Sequence, residues 1–166
     1  MGHLKVVTKI AAPAGVCFDA ARSVAAHVES ARFSNERLVA PGKLDGFLEV
    51  GDLVCFEGRH FGVMQRFCAR ITEMDRPTRF TDEMVSGAFK SLRHMHLFEE
   101  SPGTTTMIDI LDWIAPLGPL GRLADWVFLE RHMDWFVETK QAALKEMIEE
   151  RIRNQGSRLR TVLPDP

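Results

Sequence analysis

The sequence predicts an α+β protein in which a curved antiparallel sheet of about six or seven strands wraps around one long C-terminal helix. Two short helices are expected after the first strand. Between residues 45 and 115, short segments of alternating hydrophobicity are separated by turn signals about every ten residues, which is typical of an antiparallel meander. After about residue 120 the apolar residues recur at steps of three and four, which predicts an amphipathic helix.

The N-terminal segment begins with a strand-like run and continues with helix signals. Residues 4–11 read LKVVTKIA and predict the first strand. Proline is well tolerated at the first position of a helix, so the segment that begins at Pro13 predicts a short helix. Ser23 is a suitable N-cap for a second short helix, because its hydroxyl can accept a hydrogen bond from a backbone N–H of the first turn.

Five segments predict the remaining strands: 53–62, 64–75, 79–87, 91–100 and 104–115. Successive side chains of a strand point to opposite faces, so residues two apart share one face. The faces rich in arginine and glutamate are expected on the solvated outer side. In the first four segments, the side chains predicted to face the helix are Val54, Phe56, His60, Phe67, Ala69, Ile71, Phe80, Asp82, Met84, Leu92, His94, His96 and Phe98.

The C-terminal helix is the element expected to cover the apolar face of this sheet. Its stripe includes Val127, His132 and Phe136 and continues to about Arg153. About 30 residues at 1.5 Å per residue give roughly 45 Å, which is enough to span a curved sheet. A curved sheet that grips a helix tends to leave space between the two, and such a space is a natural ligand cavity. Residues 1–153 are therefore predicted to form a single domain, with 154–166 as a flexible tail.

Composition and charge limit the function classes. The chain of 166 residues fits one domain, and its net charge of −2 argues against nucleic-acid binding, which needs a basic surplus. The N-terminus lacks the pattern of a signal peptide, and no apolar run approaches the roughly 20 residues that span a bilayer. These observations favour a cytoplasmic location.

The three cysteines are predicted to be free thiols in a reducing compartment. Cys17, Cys55 and Cys68 are an odd number, lie far apart in the sequence and form no CxxC pair.

Three stretches carry a resemblance to a known superfamily: RFTDEMVSGAFKSLRHMHLFEE (79–100), TMID (106–109) and IAPLGPLGRL (114–123). With them, residues 4 to about 150 resemble the helix-grip superfamily, which holds START lipid-transfer domains, aromatic polyketide cyclases, plant PR-10 proteins and coenzyme-Q-binding proteins. In particular, the chain resembles bacterial proteins of the cyclase/dehydrase (SRPBCC) type. The resemblance implies that Met107, Asp109, Leu111 and Trp113 also face inward. The chain departs from the pattern at Leu92, where a bulky aromatic is expected, so the cavity is expected to differ in shape there.

Two histidines and one aspartate are the candidate catalytic residues: His94, His96 and Asp109. One interpretation is a structural polar network, because buried polar groups need partners. A second is that these groups orient a bound carbonyl or hydroxyl, and a third is that they act as general acid and base. A fourth interpretation is metal binding, because an HxH pair plus a carboxylate satisfies a ligand count. No Glu or third His lies at a familiar spacing, so no metal site is assigned, and no cofactor is expected.

The other positions predicted to contact a ligand lie on the inner face of the sheet or on the helix. They are Phe56, His60, Phe67, Asp82, Met84, Leu92, Phe98, Met107, Trp113, Val127 and His132.

The leading functional hypothesis is the binding of an apolar small molecule, either lipid-like or a polycyclic polyketide. One alternative is a cofactor-free cyclase or dehydratase that uses the cavity histidines and aspartate as acid and base. Another is a protein-interaction module without a ligand. The apolar stretch 126–136 leaves three roles open, namely a cavity lid, a homodimer contact or a patch that touches membranes transiently.

Overall fold

Seven antiparallel strands form one sheet in the order β1-β7-β6-β5-β4-β3-β2. The computed structural model describes the backbone of residues 1–60, 62–115 and 128–162, and the side chains of these residues except 60 and 156–162. The strands are β1 (Gly2–Ile10), β2 (Arg37–Leu38), β3 (Leu53–His60), β4 (Val63–Asp75), β5 (Arg79–Ser86), β6 (Ser91–Ser101) and β7 (Thr104–Ile114). The predicted helix-grip architecture is confirmed.

Three α-helices accompany the sheet in the described ranges. They are α1 (Ala14–Ala21), α2 (Val24–Ser30) and α3 (Glu130–Val162), and a short 3-10 turn, Arg32–Ser34, follows α2. The Ser23 hydroxyl accepts a hydrogen bond from the backbone N–H of Ala26, as expected of an N-cap. Helix α3 extends nine residues beyond the predicted end at Arg153, so much of the predicted tail has a helical backbone. None of the described helices is long and apolar enough to cross a membrane.

Helix α3 lies against the concave face of the sheet and buries an apolar stripe there. Val137, Leu144 and Ile148 are buried on this stripe, and Leu144 and Ile148 join a cluster with residues of α1 and the sheet. Burying a side chain of this size contributes roughly 1.5–3 kcal/mol, so this packing stabilises the helix far more than its intrinsic propensity does. A space remains between the helix and the middle of the concave face, and this space is the cavity.

The predicted inner face of the sheet is confirmed at most positions. Val54, Phe56, Ala69 and Ile71 are buried and belong to one core cluster. Strand β6 pairs with β7 so that His96 lies opposite Asp109.

The expectation of three free thiols is wrong for two of the cysteines. Cys55 and Cys68 form a disulfide, and only Cys17 is free and buried. The two bonded residues lie directly opposite each other in the antiparallel pairing of β3 and β4, with Cα atoms 4.1 Å apart. Sequence spacing does not reveal this register, which only the hairpin pairing decides.

A loop segment that follows β2 runs along the edge of β3 that does not pair with β4. The backbone N–H groups of Val39 and Lys43 donate to the carbonyl oxygens of Cys55 and Leu53. Gly42 allows this close approach, because a Cβ atom at that position would lie 2.3 Å from the backbone nitrogen of Cys55. Cys55 is fully buried, and it alternates along β3 with Val54 and Phe56, which line the cavity.

Candidate functional site

A cavity of about 540 Å³ lies between the concave face of the sheet and helix α3. Its size falls within the range of pockets that hold small molecules. Apolar side chains form most of the lining. From the sheet these are Val54, Phe56, Phe67, Ala69, Ile71, Phe80, Leu92, Met107 and Leu111, and from the last helix and the residue before it Leu129, Met133, Phe136, Val137 and Leu144.

Four titratable side chains form one polar cluster on the sheet side of this cavity. We call Asp82, His94, His96 and Asp109 the acid–histidine cluster. His96 Nδ1 lies 2.7 Å from Asp109 Oδ1, and His96 Nε2 lies 3.3 Å from Asp82 Oδ2. The His94 ring lies beside that of His96, with ring centroids 3.8 Å apart. Its Nδ1 is 3.8 Å from Asp82 Oδ2 and its Nε2 is 3.6 Å from Asp109 Oδ1.

Strand register brings the four residues together. Asp82 lies opposite His94 in the β5–β6 pairing, and His96 lies opposite Asp109 in the β6–β7 pairing. Because residues two apart share a face, both histidines point to the cavity with a carboxylate on each flank.

The cluster perturbs the pKa of each of its members. Burial alone would lower the pKa of His96, but the carboxylates of Asp109 and Asp82 outweigh it and raise that pKa to about 9. Burial and the neighbouring His96 lower the pKa of His94 despite Asp109. Burial tends to raise the pKa of Asp109, but both imidazoles hold it well below its usual value. The charges correspond to a His96 imidazolium between two carboxylates, beside a neutral His94.

Two atoms of the cluster lack a well-formed hydrogen bond within the described part of the chain. They are His94 Nε2 and Asp109 Oδ1, and both are buried. Asp109 Oδ1 is close enough to His96 for an ion pair, but this contact does not have the geometry of a hydrogen bond. Buried polar groups normally have partners, so these atoms are suited to bind something that enters the cavity.

Sequence reasoning missed a second polar group on the opposite wall. Lys140 Nζ lies 2.9 and 2.8 Å from the two ring nitrogens of His27, whose ring stacks on Phe56 with centroids 4.1 Å apart. Burial and the Lys140 charge lower the pKa of His27 well below its usual value. Burial also lowers the pKa of Lys140, although Glu36 and Asp109 oppose this. The signal was present in the helix, because Lys140 lies four residues after Phe136 on the apolar stripe.

Gln141 is a further missed residue. It is only 2% exposed, and its side-chain oxygen accepts a hydrogen bond from the Thr8 hydroxyl. Its Nε2 group lines the cavity without a hydrogen-bond acceptor in the described part of the chain. The amide is therefore a donor available to a ligand.

The predicted ligand-contacting residues divide into three groups. Those that line the cavity are Phe56, Phe67, Asp82, Leu92, Met107 and His132. Those that face the same side but pack in the adjoining core are Met84, Phe98 and Trp113. Those that lie outside the described side chains are His60 and Val127.

Part of the 126–136 stretch lies at the cavity. Phe128, Leu129, His132, Met133 and Phe136 are among its lining residues. Phe128 is 68% exposed and Trp135 is 54% exposed, so an apolar surface continues from the cavity to the outside. Trp126 lies outside the described residues.

Solved structures resemble this chain over most of its length. A protein from Thermus thermophilus has 16% sequence identity and a TM-score of 0.74, and the match covers 89% of this chain and 97% of that chain. The Zhui aromatase/cyclase from a Streptomyces species has 13% identity and a TM-score of 0.66, over 93% and 98% of the two chains. A START superfamily protein from Mycobacterium smegmatis has 12% identity and a TM-score of 0.65, over 89% and 97%.

No protein-family model and no curated protein sequence matches the chain. Similarity at these identities establishes the fold and does not transfer an activity. The strand order, the long C-terminal helix and the solved structures agree, and the chain has the START-like helix-grip fold.

Proposed function

We propose that the protein binds an apolar small molecule, lipid-like or polycyclic, between the sheet and helix α3. The observation that carries the proposal is the 540 Å³ cavity with its mainly apolar lining. The fold supports it, because its solved relatives include a START superfamily protein and an aromatase/cyclase. The ligand is expected to be largely apolar and to carry a few polar atoms, since polar groups occupy only part of the wall.

The polar groups would orient the ligand within the cavity. On the sheet wall, His94 Nε2 of the acid–histidine cluster has no hydrogen-bond partner in the described ranges. On the helix wall, Gln141 Nε2 also has no hydrogen-bond partner in these ranges. A carbonyl or hydroxyl of the ligand that reaches either group would satisfy a buried donor. Leaving such a group unpaired costs about 1–3 kcal/mol, so this contact favours ligands with a matching oxygen.

Native mass spectrometry of the purified protein, followed by solvent extraction, tests this proposal. A stoichiometric apolar compound that dissociates on denaturation is the expected result. A second measurement uses an apolar fluorescent probe and the variant Leu92→Trp, which fills part of the cavity. Probe affinity is expected to fall at least about tenfold, equivalent to roughly 1.4 kcal/mol.

The matched control is Val85→Trp, because Val85 is an exposed apolar residue on strand β5. The control is expected to bind the probe like the wild-type protein. Equal probe affinity in all three proteins would contradict binding in this cavity.

Cyclase-type catalysis is the second candidate, favoured by the position of His96 between two carboxylates. An imidazole held by Asp109 can exchange a proton with a bound polyketide-like substrate. Replacing His96 with Gln is expected to preserve the fold and abolish turnover of such a substrate. Retained turnover would rule out an acid–base role for His96.

The cytoplasmic location stays a prediction, and the Cys55–Cys68 disulfide argues against it. Disulfides persist mainly in oxidising compartments.

The interaction-module, membrane-contact and homodimer alternatives rest on the exposed Phe128 and Trp135. Light scattering of a Trp135→Ser variant tests the homodimer, and vesicle co-sedimentation of the same variant tests the membrane contact. A variant that changes neither result would leave a role of this surface in ligand entry.

A further inference from the structure

We propose that Asp82, His94 and His96 form a binding site for one divalent first-row transition-metal ion, such as Zn²⁺, with Asp109 orienting the two imidazoles. This site requires no assumption about the apolar ligand. It goes beyond the sequence-based expectation, which assigned no metal.

Geometry supports the ligand set. Each of the three residues can offer one ligand atom such that all three atoms lie within 4.8 Å of one another. Asp82 Oδ2 is 3.3 Å from His96 Nε2 and 3.8 Å from His94 Nδ1. Two ligands at the usual 2.0–2.1 Å from a tetrahedral zinc ion are roughly 3.3 Å apart, so only small side-chain movements would enclose an ion.

Asp109 lies on the opposite edge of both rings. Its Oδ1 is 2.7 Å from His96 Nδ1 and 3.6 Å from His94 Nε2, which are the nitrogens that face away from Asp82. Histidine ligands usually donate their second ring N–H to a carboxylate, which fixes the tautomer and the ring orientation. His94 Nε2 and Asp109 Oδ1 lie 3.6 Å apart and have no hydrogen bond in the described ranges, and they would form this contact when His94 binds the ion through Nδ1.

The surroundings favour a transition metal over Mg²⁺ or Ca²⁺. Two imidazole nitrogens and one carboxylate suit zinc, iron and related ions, whereas the alkaline-earth ions prefer oxygen ligands alone. All three ligand residues line the cavity, so the remaining coordination positions would face a bound molecule. Such an arrangement has three protein ligands and an open side.

The test is equilibrium dialysis of the untagged, chelator-treated protein against Zn²⁺, with metal content measured by mass spectrometry. One tightly bound ion per chain is expected. Asp109→Asn should weaken binding by about 10- to 100-fold, and Asp82→Asn, His94→Gln and His96→Gln should each weaken it further. The controls His27→Gln, in the same cavity, and Asp112→Asn, on the same strand as Asp109, should bind like the wild-type protein.

A second readout on the wild-type protein covers the case in which a cluster variant fails to fold. Electron spin echo modulation of bound Cu²⁺ counts coordinated imidazoles, and two are expected. Failure to bind one ion per chain, unchanged binding in the folded cluster variants, or a count other than two would overturn the site. Because no apolar ligand is added, these results do not depend on the proposed small-molecule binding.

Discussion

His96 Nδ1 lies 2.7 Å from Asp109 Oδ1 in a buried pair that joins neighbouring strands of the sheet. Strands β1 and β7 are joined by a second histidine–aspartate pair with a nearly equal distance, since His3 Nδ1 lies 2.8 Å from Asp112 Oδ1. The side chains of this second pair are 60% and 41% exposed, whereas those of the first are 13% and 6% exposed. Because the two distances are nearly equal, a comparison of the two pairs separates the effect of burial on stability from the effect of distance.

We predict that Asp109→Asn destabilises the metal-free protein strongly and that Asp112→Asn does not. Removing one partner of a buried ion pair costs about 3–5 kcal/mol, because the other charge stays buried without compensation. An exposed pair contributes about 0–1 kcal/mol. Denaturant unfolding followed by circular dichroism measures both values. Equal losses in the two variants would contradict the assigned burial of the cluster.

We predict a pH-dependent stability difference between the wild-type protein and Lys140→Met. Because burial lowers the folded-state pKa of Lys140 below 10.5, the unfolded chain binds more protons between the folded and unfolded pKa values. Wild-type stability therefore gains a contribution as pH rises through that window. Lys140→Met lacks this contribution. Its advantage in stability over the wild-type protein should therefore be largest below the window and should shrink toward pH 10.5.

Thermal unfolding of both proteins between neutral pH and about pH 10.5 measures this difference. Lys145→Met is a suitable control, because Lys145 is a partly exposed lysine of the same helix whose ammonium pairs with Glu149. A Lys140→Met difference that stays constant across the range would show that Lys140 is not perturbed in the folded state.

Reduction of the Cys55–Cys68 disulfide is expected to lower the free energy of unfolding by about 3 kcal/mol. The bond closes a short loop, since the two residues are 13 positions apart, and loops of about 15 residues give stabilisation of this order. Unfolding with and without a reductant measures the effect. The Cys17→Ala variant should show the same loss, and the double variant Cys55→Ser/Cys68→Ser should show no effect of reductant.

Two glycine substitutions are predicted to have opposite effects. A Cβ atom at Gly42 would meet the backbone of Cys55, so Gly42→Ala should cost about 1–3 kcal/mol through overpacking. A Cβ atom at Gly15 in α1 would meet nothing within 4 Å, so Gly15→Ala should stabilise the protein by up to about 1 kcal/mol. Chemical denaturation measures both. An unchanged free energy of unfolding in Gly42→Ala would show that the loop segment beside β3 can move away at little cost.

Most of the sheet and three of the four residues of the acid–histidine cluster could be predicted from periodicity. The alternation in β6 placed His94 and His96 on the cavity side beside Leu92, and the structure agrees. Asp109 could not be oriented in this way, because Ile108 and Ile110 are as apolar as Met107 and Leu111. Only the resemblance to a known superfamily predicted its direction.

Residues that depend on contacts between distant elements were missed. Lys140 and Gln141 lie on the C-terminal helix but were not assigned to its inward stripe, and His27 lies on a short helix far away in the sequence. The Lys140–His27 contact exists because α2 and α3 pack against each other, and the Gln141–Thr8 contact exists because α3 packs against β1.

The sequence by itself determined most of the strands and helices and which side of most strands is apolar. These properties follow from local periodicity and capping, which operate over a few residues. The tertiary structure decided the strand register that surrounds His96 with Asp82 and Asp109 and joins Cys55 to Cys68. It also decided the position of Lys140 against His27. Register and helix docking depend on packing summed over the whole sheet, so no single segment encodes them.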